Sequence, residues 1–539
     1  MLKELDQLIK GRKLEEARAI LDKLRSSCSE PEFLLAQAAV DFASSNSLAG
    51  ESKLLLADTL PSRDWRIPLA LTRHYIQVGN QERARLFAKR AYEHKSDEPS
   101  VLLAYMHTLL DISDYREVLA LFKKHKAVIK LNRSFLLVGI SAFRAAGRFD
   151  EALALISKFL QTHVDDRVGL RLLADIHADR DSTTGLEKYK KVIARQEKKY
   201  GKKDVATCWN ASLHFLRHRE FREGWSYWEM GFGREVGTMA RKLPEQLGKV
   251  HRVAAADQID PDRWLFIVPE QGIGDQVLFL SSLNDLMKES RRLVLVSDPR
   301  LSPLLKRSFP DLPQVSPGII DALPEARGLP NQGYMPYGSI PAKYRPSVES
   351  FLIHRRPFLR FDEVSKNKVY QRFRARADGR PIIGISWKGG FWESQKKNKG
   401  LDLAAWIEAL RSVDAQYICL QYGDVSDAEQ LFKNHQIRCS FLQRVDFTKD
   451  IEGWLQCIQA CDGVFSVSTA LVHFSSALGV PTKIVMPKPY GPWILGIDDT
   501  SHIAYDNCEI ARLKHSEQAI PFITSELESF HAKLLRFKG

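Results

Sequence analysis

The sequence has little that would place it in a membrane or outside the cell. It contains no run of about 18 apolar residues, which excludes a membrane-spanning helix of ordinary length. The first residues, Met1-Leu2-Lys3-Glu4-Leu5-Asp6, carry charges where a signal peptide has its apolar core. The seven cysteines are scattered and form no CxxC or Cys/His cluster, which favours free thiols over a metal site. We therefore expect a cytoplasmic protein.

The chain also lacks charge balance and any motif for nucleic acid. Lys and Arg number 79 against 66 Asp and Glu, a formal net charge of +13. The basic residues are spread along the chain, so no nucleic-acid partner is expected. A nucleotide-sugar, or peripheral contact with an anionic membrane surface, would match this charge. A chain of 539 residues is also too long for one hydrophobic core, so several domains are expected.

The first part of the chain carries an internal repeat. Three segments, Gly79–Ala84, Ser113–Val118 and Gly147–Ala152, lie 34 residues apart, and each runs from a small residue to a short apolar one. Weaker copies begin near Gly11 and Asp181. This period resembles the tetratricopeptide repeat, in which helical hairpins stack into a superhelix with a concave groove. The spacing predicts such an array over about 1–230, whose groove either holds a protein partner or only braces the rest of the chain.

The end of the predicted array is rich in aromatic residues. The segment 204–230 has a helical pattern and contains Trp209, Trp225, Tyr227 and Trp228. We expect it to close the array and dock it on the following domain. The pattern favours packing over ligand stacking for these tryptophans.

After about residue 260 the pattern changes to short apolar runs that alternate with helical stretches. Such runs are typical of strands buried in a parallel sheet, and the alternation predicts a doubly wound α/β architecture. We predict a linker (231–259), two Rossmann-like lobes (260–375 and 376–510) and a C-terminal helix (511–539) that crosses back to the first lobe. The predicted strands are 264–269, 292–297, 381–387, 417–421, 463–468 and 482–486.

The turn after the first predicted strand reads Glu270-Gln-Gly-Ile-Gly-Asp-Gln276. It has neither the ending of a Walker loop nor a complete GxGxxG. Gly272 and Gly274 would allow a tight turn and close backbone approach. Asp275 opens a helix, and one interpretation is that it does no more than cap that helix. The Gly-Asp pair resembles glycosyltransferase family 9, the heptosyltransferase group, and the longer string resembles its branch fused to tetratricopeptide repeats. That resemblance implies that Asp275 is the general base. The segment 335–341 also resembles a cleft-lining segment of that branch.

The second lobe contains further matches in family order. Lys388 follows a predicted strand and precedes two glycines, and Lys399 lies seven residues before Trp406, as the family's phosphate-binding lysine does. A solvated lysine run is the alternative for Lys399. Gln421 lies in a segment that would border the nucleoside.

The string from Val467 to Pro481 resembles the family's most specific motif. It places Thr469, Ala470 and His473 at the start of a helix that would face the donor diphosphate. Ser468 stands where the family has an aspartate, which puts donor identity or activity in doubt. Pro489 to Trp493 adds an aromatic loop.

The combined resemblance implies a GT-B glycosyltransferase with a helical-repeat arm, similar to bacterial flagellin glycosyltransferases. It would use a nucleotide-sugar as co-substrate, with inversion and without a metal or other cofactor. The leading hypothesis is transfer to a protein acceptor, flagellin, recruited by the arm, with a CMP-linked nonulosonic acid as a candidate donor. The alternatives are a transferase for lipopolysaccharide or capsule glycans, and a non-catalytic scaffold with a degenerate transferase domain.

Overall fold

The computed structural model describes residues 2–129, 132–180, 182–232, 241, 251–316, 331–389, 401–442, 445–487, 491–513 and 518–538. The chain divides into two compact units, one of residues 1–176 and one that begins at His177. No helix within these ranges is long and apolar enough to cross a membrane. All seven cysteines are free.

The first unit consists of consecutive helices that pack on one another in hairpins. The helices are α1 (Leu2–Lys10), α2 (Leu14–Leu24), α3 (Glu30–Ala43), α4 (Ser47–Thr59), α5 (Arg66–Gln77), α6 (Gln81–His94), α7 (Pro99–Asp111), α8 (Tyr115–Lys124), α9 (Lys126–Ile129), α10 (Arg133–Ala145), α11 (Phe149–Thr162) and α12 (Arg167–Arg180). The last of these extends past the end of the unit. Small apolar clusters between successive helices make up its core.

One backbone conformation explains the 34-residue period. Ser45, Gly79, Ser113 and Gly147 each lie between the two helices of a hairpin, and each has a positive φ, between 60° and 76°. A left-handed residue ends the first helix and turns the chain back, which is why small residues recur there. Ser45 is a further copy that the sequence pattern did not single out.

The position five residues after each turn is where the two helices of a hairpin come closest. Ala84, Val118 and Ala152 are fully buried there. At Gly50, the equivalent position, an added Cβ would lie 2.9 Å from the ring of Phe42. A small or short apolar residue at this position therefore lets the two helices pack closely.

The second unit begins with three helices and continues into two α/β lobes. The helices are α13 (Ser182–Tyr200), α14 (Val205–Arg217) and α15 (Phe221–Trp228). The first lobe contains β1 (Trp264–Val268), α16 (Ile273–Leu280), α17 (Leu283–Glu289), β2 (Leu293–Val296), α18 (Ser302–Ser308), β3 (Gln314–Val315), β4 (Asn331–Pro336), α19 (Ser339–Tyr344), α20 (Val348–Leu352) and α21 (Glu363–Ala377).

The second lobe contains β5 (Ile382–Ser386), α22 (Leu403–Leu410), β6 (Gln416–Cys419), α23 (Ser426–Asn434), β7 (Cys439–Ser440), α24 (Ile451–Gln459), β8 (Gly463–Ser466), α25 (Ala470–Ala477), β9 (Thr482–Pro487), β10 (Cys508–Leu513) and α26 (Ala519–Lys538). A short 3-10 turn, Trp493–Leu495, lies between the last two strands.

Each lobe is built on one parallel sheet. The strand order is β3-β2-β1-β4 in the first lobe and β10-β9-β8-β5-β6-β7 in the second. The central strands are paired in register, with Ile267 opposite both Leu295 and Met335, and their side chains are buried. The predicted fold class, a helical-repeat region followed by two Rossmann-like lobes, is confirmed.

Two features of the second unit differ from the sequence-based expectations. Helix α26 packs on the second lobe, not back onto the first, because Ile523, Leu527 and Phe530 fit between α22 and the sheet. Helices α14 and α15 share a hydrophobic core with the lobes, through buried residues such as Trp225 and Trp228. The second compact unit thus contains helices that the repeat pattern assigns to the arm.

Candidate functional site

A pocket of about 640 Å³ lies between the two lobes and is bordered by α14 and α15. Pockets of this size hold ligands of nucleotide-sugar dimensions. The helices contribute Trp209, Leu213, Arg217 and Trp228; the first lobe contributes Gln271–Gln276, Leu278, Asp298 and Arg300; the second contributes Tyr422, Phe447, Thr448, Trp454, Ser468–Ala470, His473 and Pro492–Ile494. The carboxyl ends of β1 and β8 supply its centre, as expected for parallel sheets.

In the turn after β1, the residue with left-handed backbone conformation is not one of the two glycines. Gln271 has a φ of +61°, whereas Gly272 is extended, with a φ of −76°. The tight turn therefore depends on Gln271 and not on a glycine, and a non-glycine residue in this conformation stores some strain. Gly272 is exposed on the pocket wall and is the N-cap of α16.

Asp275 lies in the first turn of α16 and lines the pocket. Its Oδ2 accepts a hydrogen bond from the Gly272 N–H at 3.3 Å. The side chain is half-buried and lies at the N-terminal end of α16. A carboxyl group on a pocket wall has the chemistry of a general base.

Gly274 lies where a helix of the first lobe packs tightly on a helix of the second. An added Cβ would lie 2.9 Å from the Cα of Ala470, 3.1 Å from its Cβ and 3.3 Å from Cδ2 of His473. Gly274 thus has no side chain because α25 packs against α16, and this contact brings Asp275 and His473 to the same pocket. The close backbone approach predicted at this glycine is to another helix of this chain.

Thr469 is the N-cap of α25, and its helix begins at the pocket wall. The Thr469 side chain makes no capping hydrogen bond, and its buried Oγ1 has no partner among the described residues. The first N–H groups of an α-helix have no partners within the helix. Together with the helix dipole, they make this end of α25 suited to an anion.

His473 contacts the buried Tyr505 through its Nδ1 atom. The Tyr505 hydroxyl lies 3.4 Å from His473 Nδ1, and His502 packs beside both rings. Burial, with smaller contributions from the neighbouring Cys508 and Asp275, raises the pKa of Tyr505 well above its ordinary value. Burial also lowers the pKa of His502, assisted by His473 and two arginines. Tyr505 and His502 are therefore neutral at physiological pH.

Lys388 and Gln421 contact each other at the ends of neighbouring strands of the second lobe. Gln421 Oε1 accepts hydrogen bonds from the Ser386 hydroxyl and from the backbone N–H groups of Trp387 and Lys388, at 3.0 to 3.2 Å. Gln421 thus fixes the turn after β5. Within the described chain, neither Lys388 nor Gln421 belongs to the pocket lining. Lys399 and Gly390 lie outside the described residues.

The first lobe also contributes a charged pair that the sequence reading missed. Asp298 follows β2 and pairs with Arg300, whose hydrogen bond lowers the pKa of Asp298 against the effect of burial. Arg300 Nη1 donates to the Thr448 carbonyl at 2.7 Å and so connects the two lobes across the pocket. Asp298 comes directly after a predicted strand, and this position could have identified it from the sequence as a candidate pocket residue.

The aromatic segment before the lobes contributes to the pocket as well as to the core. Trp225 is buried and its Nε1 donates to the Arg345 carbonyl at 2.7 Å, which confirms packing for that residue. Trp209 and Trp228, however, both line the pocket. The expectation that these two tryptophans only pack in the core therefore left out their position on the pocket wall.

Glu270, the first residue of the motif, has a structural role. Its carboxylate and the Arg241 guanidinium form two hydrogen bonds, at 2.5 and 2.7 Å, and both side chains are fully buried. Glu270 also accepts the Gly338 N–H at 2.7 Å, and an added Cβ at Gly338 would collide with it. Segment 335–341 thus packs on this ion pair, and it contributes nothing to the described pocket lining.

No family model matches the sequence. Protein FlbA of Caulobacter vibrioides is 24% identical over 292 residues, which are 50% of this chain and 48% of that protein. The chain thus spans about half the length of this curated relative.

Solved structures match parts of the chain at low sequence identity. The E. coli ADP-heptose LPS heptosyltransferase II matches over 51% of this chain and 100% of its own, with 14% identity and a TM-score of 0.37. A tetratricopeptide repeat protein from Parabacteroides merdae matches over 44% of this chain and 93% of its own, with 13% identity and a TM-score of 0.36. Among the described residues, no group of three or more His, Cys, Asp or Glu side chains could hold a metal ion.

Proposed function

We propose that this chain is a glycosyltransferase that moves a sugar from a nucleotide-sugar to a hydroxyl group of a protein acceptor. One observation carries the proposal: the Asp275 carboxylate and the N-terminus of α25 line the same pocket between two parallel-sheet lobes. Transfer of this kind needs a base for the acceptor and an electropositive site for the leaving diphosphate or phosphate. The pocket offers both.

In this proposal Asp275 takes the proton from the acceptor hydroxyl as its oxygen attacks the anomeric carbon. The Gly272 N–H holds one carboxylate oxygen at 3.3 Å and thereby orients the group. The bond from the anomeric carbon to the phosphate oxygen breaks on the opposite face, so the sugar configuration inverts. Asp275 is therefore the residue whose loss stops the chemistry.

The N-terminus of α25 receives the charge that builds up on the departing nucleotide. Thr469 and Ala470 start this helix, and His473 lies one turn further along it. Lys399 would supply a further cation by its resemblance to the family's lysine. With these groups the reaction proceeds without a metal ion.

We infer that the acceptor is flagellin and that the helical-repeat unit recruits it in the cytoplasm. The order of the motifs and their fusion to 34-residue repeats support this inference. A CMP-linked nonulosonic acid is the candidate donor, and the pocket volume of about 640 Å³ can hold a molecule of that size.

The test is transfer by the purified full-length protein. It is incubated with flagellin and with CMP-, UDP- or ADP-linked sugars, and the acceptor is analysed by intact mass. The expected result is a mass gain of one sugar residue with one donor class, lost in Asp275→Asn and kept in Asp22→Asn, an exposed control in the first unit. Transfer to a lipopolysaccharide or capsule acceptor instead would reassign the acceptor. Absence of nucleotide binding by calorimetry would favour a scaffold whose donor site was lost with Ser468.

A further inference from the structure

The hydroxyl of Tyr505 ends beside His473 and is enclosed by the protein. Tyr505 is 1% exposed, and its ring packs on His502 with the ring centroids 4.6 Å apart. The hydroxyl lies 3.4 Å from Nδ1 of His473, and this is its one hydrogen bond to a described residue. His473 lines the pocket, whereas Tyr505 is not part of the described lining.

The direction of this hydrogen bond follows from burial. Burial raises the pKa of Tyr505, so the hydroxyl keeps a proton that it can donate. A buried O–H group without an acceptor is destabilising, and among the described residues the available acceptor is Nδ1 of His473. Tyr505 must therefore donate, and Nδ1 must be the unprotonated nitrogen. The neutral imidazole of His473 then carries its proton on Nε2.

His502 fixes the tyrosine ring but does not compete for its hydroxyl. Nδ1 of His502 accepts the backbone N–H of Ala504 at 3.1 Å, so the proton of this ring lies on Nε2. That Nε2 makes no hydrogen bond to a described residue. The contact between His502 and Tyr505 is thus one of ring packing, and the hydroxyl is left to His473.

The other edge of the His473 ring lies towards the first lobe. Its Cδ2 atom, which is bonded to Nε2, would lie 3.3 Å from a Cβ added at Gly274, and the side chain shares the pocket lining with Asp275 and Thr469. With Nδ1 on Tyr505, Nε2 is on the pocket side. An N–H group there can donate to an oxygen of a departing phosphate, whereas the other tautomer would place a lone pair against that negative charge.

We propose that Tyr505 is a positioning residue for the reaction: its hydroxyl holds His473 in the tautomer that offers an Nε2–H group to the phosphate of the donor. The inference rests on the proposed function and adds to it a residue that lies outside the sequence motifs. Tyr505 does not touch the substrate and acts through His473.

The experiment compares steady-state transfer by the full-length wild type, Tyr505→Phe, His473→Gln and the double variant. Tyr505→Phe keeps the ring on His502 and removes only the hydroxyl, so His473 is no longer restricted to one tautomer. We expect kcat to fall about 10-fold, the loss of one hydrogen bond to the leaving group, with the KM for the acceptor unchanged. The glutamine in His473→Gln has an N–H donor that does not depend on the tyrosine, so Tyr505→Phe should cost less than about 2-fold in that background.

Tyr417→Phe is the matched control. It removes another buried hydroxyl of the second lobe, which donates to the Leu410 carbonyl at 2.9 Å, away from the described pocket lining. This variant should keep the wild-type kcat, and urea unfolding should show that both tyrosine variants are folded.

The tautomer gives a second readout that does not depend on turnover. Long-range ¹H–¹⁵N spectra of protein with ¹⁵N-labelled histidine distinguish protonated from unprotonated ring nitrogens, and His473→Gln identifies the signal of His473. We expect a protonated Nε2 in the wild type and a mixture of tautomers in Tyr505→Phe.

The outcomes separate the positioning role from the reaction. If the wild type transfers sugar but Tyr505→Phe keeps the wild-type kcat, or loses as much activity in the His473→Gln background as in the wild type, the positioning role is refuted and the reaction stands. A wild-type His473 that is protonated on Nδ1 refutes it as well. If the wild type transfers to no acceptor, the proposed function fails, and the spectra still decide whether Tyr505 sets the tautomer of His473.

Discussion

At the scale of single residues, the carboxylate of Asp275 serves the helix and the pocket together. It accepts the Gly272 N–H at the start of α16 and lies on the pocket wall. A capping role and a catalytic role, which look like alternatives in the sequence, are compatible because a carboxylate has two oxygens and several lone pairs. The two roles can be separated by the choice of substitution.

Asp275→Asn should separate them. An asparagine oxygen can still accept the Gly272 N–H, so the free energy of unfolding should change by less than about 1 kcal/mol. It cannot take a proton, so transfer should fall by about 100-fold to 10,000-fold. Denaturant unfolding and the transfer assay measure the two effects. A variant that kept full turnover would contradict the assignment of the base.

The Arg241–Glu270 pair predicts a large effect on stability. Both charges are fully buried, and removal of one leaves the other without compensation. Arg241→Leu should therefore reduce the free energy of unfolding by about 3 to 5 kcal/mol, as measured by urea denaturation. Arg438→Leu, which removes an exposed ion pair with Asp414, is the control and should cost less than about 1 kcal/mol.

Glu229 in the same network makes stability sensitive to acid. Burial acts to raise its pKa, but Arg241 and the Ser339 hydroxyl outweigh burial and hold the pKa below its ordinary value. Such a carboxylate adds stability above its unfolded pKa, and this contribution is lost as pH falls through the lowered folded pKa. Unfolding measured across the acid range should show a shallower loss of stability in Glu229→Gln. An unchanged acid slope would contradict this role.

At the scale of elements, the repeat hairpins depend on one left-handed residue each. Gly147 has a φ of +72°, and an added Cβ there would meet nothing within 4 Å, so only the backbone conformation opposes a side chain. Gly147→Ala should cost about 1 to 2 kcal/mol of unfolding free energy. Gly147→Asn should cost less, because asparagine tolerates this conformation. Equal losses would mean that packing, not φ, decides the residue.

The elements show which parts of the fold the sequence could predict. All six predicted strands are present, since short, continuous apolar runs mark the buried centre of a parallel sheet. The strands β3 and β7 have two residues each and carry too little pattern to be seen. β4 is rich in polar residues at its start, and β10 lies at a sheet edge, where one flank needs no apolar neighbour.

At the scale of the whole molecule, the pocket combines parts that are distant in the sequence. Asp275 follows a strand of the first lobe, and Thr469, Ala470 and His473 follow a strand of the second, so the rule for parallel strands places each set at the end of its own sheet. That the two sets share a pocket was predicted from the resemblance to the family. The part that α14 plays in lining the pocket could not be predicted from the sequence. Trp209, Leu213 and Arg217 are four residues apart, and this spacing is the same whether they face a neighbouring helix or a cavity. The orientation of α14 is set by Arg217 and Arg219, which bind carbonyl groups of the 491–495 loop.

This dependence leads to a prediction about truncation. A chain that begins at His177 keeps α14 and α15, whose buried residues Leu216, Phe221, Trp225 and Trp228 share a core with both lobes. It should unfold cooperatively and bind nucleotide, although it has lost the repeat unit. A chain that begins at residue 231 would expose that core surface, and each large apolar side chain removed from it costs about 3 to 5 kcal/mol, more in total than a domain's net stability. It should be insoluble or bind the dye ANS strongly, with no cooperative transition. If the shorter chain folded as well as the longer one, α14 and α15 would be dispensable for the fold, and the shared core would not be what holds them against the lobes.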